Sequence, residues 1–132
     1  SEYDQFLEVI NQLDTVKTSF TKIDLSSLKI LSDGRTEEYV LSSSNTSTIS
    51  QWIDLLTDMK ITAIPYASVS GTGYSLCFYS PEEAISVGGI VGRYIYLPVS
   101  HGEKVTMYID NYDELRPRFL ALEKEMGFPA AE

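Results

Sequence analysis

Between residues 73 and 110 the chain alternates with period two. In GYSLCFYS, RYIYLPV and KVTMYID, β-branched, aromatic or aliphatic residues stand at every second position, as half-buried strands require. The turns Ser80-Pro81-Glu82-Glu83 and Ser100-His101-Gly102-Glu103 punctuate these runs, and AISV followed by the glycine-rich GGIVG lies between the first two. The region predicts an antiparallel meander, with GGIVG as a loop that shapes a hairpin. Upstream, two strand-like runs between Ser27 and Leu41 flank Asp33-Gly34, a dipeptide whose tolerance of positive φ suits a tight hairpin. ITAIPY predicts a short edge strand, because Pro65 has no amide hydrogen to give a ladder, and SVSGTG a flexible connection.

Helical spacing occurs three times. Tyr3, Phe6, Leu7, Ile10 and Leu13 recur at intervals of three and four and predict an amphipathic helix over 3–13. Ile49, Trp52, Ile53, Leu56 and Met59 share one face of a helix over 48–60, entered from the polar run SSSNTST at 42–48 with Ser47 or Thr48 as its cap. A last helix opens near Asn111, where Asp113 and Glu114 suit the positive end of the helix dipole, and stops at Gly127. Pro117 sits too deep for a helix starting at Asn111, so the first turn is separate or the regular helix begins close to Arg116. The expectation is a single α+β domain over 1–132, with an N-terminal helix at 1–14 and a sheet-and-helix body at 21–126. Its antiparallel sheet of about five to seven strands would be packed by the central and C-terminal helices.

Strand phase carries the sharpest inference. Ile95, Leu97 and Val99 oppose Tyr94 and Tyr96; Val105, Met107 and Ile109 oppose Thr106 and Tyr108; Leu76 and Phe78 oppose Cys77 and Tyr79. If the aliphatic sets form the core, one sheet face carries Tyr79, Tyr94, Tyr96 and Tyr108, the candidate binding residues. Such a face can bind a glycan or a protein surface. The plainer alternative is that the N-terminal helix covers it, or that the tyrosines are cross-strand pairs on a solvated face.

Charge narrows the partners. Nineteen acids and ten bases give a net charge of −9. The bases are scattered among carboxylates rather than clustered, which argues against nucleic acid and anionic membrane. No run approaches the roughly 18 apolar residues of a spanning helix, so no membrane insertion is expected. The chain begins at Ser1, which suggests a trimmed or processed product.

Reactive groups are few. Cys77 is the single cysteine and His101 the single histidine, which leaves no zinc-type ligand set and no cofactor motif. A Cys77–His101 dyad needs the 76–79 strand to lie beside the Ser100–Glu103 turn. Asp110-Asn111-Tyr112-Asp113-Glu114 faintly matches a calcium loop, but the required glycine is missing, and an acidic helix start explains the run more simply. Asn45-Thr46-Ser47 matches the N-glycosylation sequon, a pattern frequent by chance.

In its order of elements the chain resembles uncharacterised extracellular domains of Gram-positive bacterial lipoproteins and signalling-associated proteins. The resemblance spans roughly residues 21–126 and rests on the ILSDGRTEEYVL hairpin, the serine-rich loop, the STISQWIDLLTDM helix and the GYSLCFYS strand opening a meander. It implies an exported or membrane-tethered domain with no assigned activity, at a bacterial cell surface. The leading functional expectation is a non-enzymatic binding or interaction module. An acidic inhibitor or immunity-type protein for a basic partner comes second, and a hydrolase using Cys77 or His101 third.

Overall fold

A computed structural model describes residues 2–64, 72–98 and 104–129, with three helices and a seven-stranded antiparallel open sheet. Several sequence-based expectations lie outside the described residues: the side chains of Tyr3, Leu97 and Val105, the residues Pro65 and Val99, most of SVSGTG, and the Ser100–Glu103 turn with His101.

The hairpin is longer than its sequence signal. Strands β1 (Lys22–Ile30) and β2 (Thr36–Ser43) pair from Ile23↔Ser43 to Ile30↔Thr36. Ser42 and Ser43 therefore belong to β2 rather than to a loop. At the tip Gly34 takes φ 85, where a side chain would be strained, and Asp33 Oδ1 accepts from the Arg35 amide at 3.1 Å. Next come β3 (Ile61–Ile64), β4 (Tyr74–Tyr79), β5 (Ala84–Val91), β6 (Tyr94–Pro98) and β7 (Lys104–Ile109). The order across the sheet is β2-β1-β4-β5-β6-β7-β3, so β4 to β7 form the predicted meander and β3 is an edge strand.

The glycine-rich segment is not a loop. Gly88 and Gly89 lie inside β5, and only Gly92, with φ 56, belongs to the turn into β6. Leu76 pairs with Val87 whereas Tyr74 pairs with Ile90, so one extra residue of β5 bulges out at the glycines. The bulge brings backbones close: a Cβ on Gly73 would stand 2.1 Å from the Ile90 carbonyl oxygen.

Helix α2 (Thr46–Asp58) carries the predicted stripe, with Ile49, Trp52, Ile53, Leu55 and Leu56 buried and Met59 packed alongside. Its cap is Asn45 rather than Ser47 or Thr48: Asn45 Oδ1 accepts from the Ser47 amide at 2.9 Å and the Thr48 amide at 3.2 Å. Helix α1 (Glu2–Thr15) buries Phe6, Ile10 and Leu13 but leaves Leu7 exposed.

Helix α3 (Tyr112–Met126) runs unbroken through Pro117. The proline removes one hydrogen bond, but it lies on the exposed side, and burial of Leu115, Phe119, Leu122 and Met126 holds the helix. Gly127 ends it with φ 88, and the Phe128 amide reaches back to the Glu123 carbonyl at 2.8 Å.

All three helices contribute to the one buried cluster, with the inward strand positions Ile23, Leu25, Leu76, Phe78, Ile90 and Met107. They therefore cover one face of the sheet, and among the described residues no helix lies on the other. At the centre Trp52 is fully buried, edge-on to Tyr74 and Phe119 with ring centroids at 5.9 and 6.5 Å. No described helix is long and apolar enough to cross a membrane.

Two substitutions test this packing. Trp52→Ala should cost about 3–5 kcal/mol in urea denaturation, near the whole stability of a small domain; an unchanged midpoint would contradict its central position. Gly73→Ala should cost more than about 1 kcal/mol, because backbone must move to admit the methyl group. A neutral result there would place the bulge elsewhere.

Candidate functional site

The register puts all four candidate tyrosines on the uncovered face. Tyr94 pairs with Tyr108 and with Val91, Tyr96 with Thr106, and Tyr79 with Ala84 and Lys22, while the neighbours Ile95, Met107 and Phe78 point into the core. Each of the four is partly exposed. Helix α1 packs with α2 on the opposite side, so it does not cover them.

The four do not form one cluster. Tyr94 and Tyr108 meet edge-on at 5.6 Å and 73°, and Tyr96 lies beside them on β6, over the bare backbone of Gly89. Tyr79 sits at the other end of β5: from Ala84 to Val91 the strand covers about 20 Å. There the Tyr79 ring receives the Lys22 ammonium at 4.3 Å. Its hydroxyl is pushed up to about 12 by the hydrogen bond and charge of Cys77, with Asp24 contributing further.

An arginine that no spacing or motif marks organises the larger cluster. Arg93, in the β5–β6 turn, donates from Nη1 to Tyr108 Oη at 2.7 Å and from Nη2 to Asp113 Oδ1 at 2.9 Å. Its guanidinium also lies over the Tyr108 and Tyr112 rings at 5.7 and 5.3 Å. Desolvation, then the charge of Tyr94, raises the Tyr96 hydroxyl above its ordinary value, so at neutral pH it is an uncharged phenol able to donate and accept. The outward positions between this cluster and the hairpin are small: Ser26 on β1, Ser75 on β4, Ser86 and Gly89 on β5. Beyond them Leu28, Ile30 and Val40 are 52%, 69% and 51% exposed.

Cys77 is half-buried on the same face, and its Sγ accepts from Ser86 Oγ at 3.5 Å. Among the described residues its neighbours are the Ser86 hydroxyl, the Tyr79 phenol and the Asp24 carboxylate. Among the described residues no group of three or more His, Cys, Asp and Glu could hold a metal ion. Within the Asp110–Glu114 run, Asp110 Oδ2 accepts from Thr62 Oγ1 at 2.6 Å and Asn111 binds backbone, so these side chains close a junction.

On the helix side a groove of about 750 Å³ opens between the hairpin and the end of α3, lined by Leu28, Lys29, Glu37, Tyr39, Thr72 and Phe128, among others. Behind it Phe128 packs on Tyr74 at 4.9 Å, and Tyr74 Oη donates to Glu123 Oε2 at 2.6 Å. Both had readable signals. Tyr74 shares the inward phase of Leu76 and Phe78, and Phe128 follows the helix-ending glycine, where an apolar residue usually folds back.

Comparison of the chain with protein-family models, with curated proteins and with solved structures found no match, so no relative lends these surfaces a function.

The Tyr74–Glu123 pair makes stability pH-dependent. Burial raises the Glu123 carboxyl above its ordinary value, opposed by the hydrogen bond from Tyr74; burial, then the Glu123 charge, pushes the Tyr74 phenol well above its own. The folded chain thus binds the Glu123 proton more tightly than the unfolded chain. Its contribution is most favourable below the unfolded carboxyl value of about 4.3 and declines as pH rises through the folded one. Tyr74→Phe removes the donor that favours the ionised form, so its penalty should be about 1 kcal/mol larger at pH 7 than at pH 4. Glu123→Gln should flatten the decline. Urea titrations of the three proteins at both pH values decide this, and a Tyr74→Phe penalty equal at both would count against it.

Proposed function

We propose that the chain is a non-enzymatic binding or interaction module, exported or tethered at a bacterial cell surface. It engages a protein or glycan surface through the uncovered face of the sheet. One observation carries the reading: a seven-stranded sheet has its helices on one side, and the other side presents a tyrosine cluster already held in place. Arg93 fixes Tyr108, and Tyr108 abuts Tyr94, so these rings lose little freedom when a partner arrives. Tyrosine offers a partner both an apolar ring and a hydroxyl. The resemblance of the chain's order of elements to that of bacterial lipoprotein and signalling-associated domains is what points to this location.

A second reading has its own support. The three helices hold ten of the nineteen acids and three of the ten bases, so the covered side is strongly acidic. An inhibitor or immunity-type protein would present that side to a basic partner. Binding by the helices weakens steeply with ionic strength, whereas aromatic contact on the sheet does not.

Isotope-edited NMR of the labelled chain, titrated with soluble cell-envelope glycans and with candidate surface proteins, locates the binding side. Shifts should centre on β6 and β7, and alanine at Tyr94, Tyr96 or Tyr108 should each cost on the order of 1–2 kcal/mol of affinity. Shifts confined to α1 and α3 would favour the acidic reading. The double substitution Cys77→Ser with His101→Ala should leave binding intact; loss of function in a folded double variant would return the hydrolase.

A further inference from the structure

We propose that the uncovered sheet face also packs against the same face of a second copy of this chain, as a weak two-fold sandwich. The inference rests on the preceding reading that this face is a binding surface, and it names one occupant.

Charge is the first ground. The chain carries −9, which opposes self-association in most orientations. The acids are not spread evenly, since ten of them lie on the helices. Among the described side chains, the outward strand positions carry only Lys22, Asp24 and Glu38 as charges, and Lys22 and Asp24 pair at 3.7 Å. Two copies meeting through this face turn their acidic helices away from each other and bring together mainly charges that are already paired, Lys22 with Asp24 and Arg93 with Asp113.

Shape is the second. The tyrosine ridge on β6 and β7 stands beside a trough of small residues on β4 and β5: Ser75, Ser86 and Gly89. A two-fold axis along the strands, between β5 and β6, sets Tyr96 of each copy over the bare Gly89 of the other and Tyr94 against Val91, the self-complementary contact a closed dimer needs. The geometry overlaps six strands. At about 4.8 Å between strands and about 20 Å along them, each copy contributes about 500 Å² of footprint. The total of about 1,000 Å² lies at the lower bound for a specific interface, so the dimer should be weak and reversible.

Sedimentation equilibrium from about 10 to 500 µM tests this on the intact chain. A reversible dimer is expected within that range. Ser86→Arg fills the trough from an exposed position without touching the core, and Tyr96→Lys charges the ridge. Each should raise the dissociation constant about tenfold or more, while Gln5→Lys, the same added charge on exposed α1, should leave it unchanged. Thermal melts confirm that each variant is folded. A monomer throughout overturns the proposal, as does a dimer indifferent to Ser86→Arg. The underlying reading is judged separately by the tyrosine variants in NMR titrations: loss of a foreign partner from a strictly monomeric chain keeps the face and removes the second copy.

Discussion

Val87 and Ile90 both point toward the helices although they stand three positions apart, and the division of the sheet into a buried and an open face depends on that. A regular strand returns to the same face every second residue. In a strand without the bulge Ile90 would face water, and every outward position of the meander beyond it would be reversed. The bulge at Gly88-Gly89 absorbs the mismatch, and Gly73 permits it by leaving room for the displaced Ile90 carbonyl. Two aliphatic sets of opposite phase thereby become one core, and the tyrosines of β4, β6 and β7 emerge together on the far side.

Polar contacts fix how the edge strand and the helices attach to that sheet. Asn111 Oδ1 accepts from the Lys60 amide at 2.9 Å, Asn111 Nδ2 donates to the Asp58 carbonyl at 2.9 Å, and the Asp110 amide donates to the Lys60 carbonyl at 2.7 Å. Arg118 Nη1 adds a contact to Asp58 Oδ2 at 2.9 Å. The junction of α2 with β3 is thus bound to the junction of β7 with α3, which sets β3 against β7 and α3 against α2. Trp52 fills the space that results. Its Nε1 has no hydrogen-bond partner among the described residues, a cost of about 1–3 kcal/mol that the burial of so large a ring exceeds.

Much of this was legible because period-two and period-3.6 patterns report burial directly. The meander, the hairpin, the α2 stripe and the outward phase of Tyr79, Tyr94, Tyr96 and Tyr108 all follow from spacing alone. What failed to show were features decided by tertiary contact. Gly88 and Gly89 read as loop residues because local rules count glycine as a breaker, whereas pairing on both sides holds them in a strand. Pro117 read as a boundary, yet the packing of Phe119 and Leu122 outweighs one lost hydrogen bond. Asn45 does not stand out because Ser47 and Thr48 offer the same capping chemistry a few positions on. Arg93 carried no signal, since its partners Tyr108 and Asp113 lie far along the chain and meet it only once the β5–β6 turn is placed.

The separation of Tyr79 from the other three bears on what can occupy the face. Tyr94, Tyr96 and Tyr108 form one contact region on adjacent strands, while Tyr79 lies about 20 Å away beside Lys22 and Cys77, across serine and glycine positions. A ligand of one or two sugar rings reaches only the first region, where a ring can stack and the phenols can bind its hydroxyls. A protein surface is broad enough to touch both regions, and it would press against the small residues between them. The trough has no bulky side chain of its own, so close contact along it requires side chains brought by the partner. Only a large, sculpted surface could therefore touch the whole face at once.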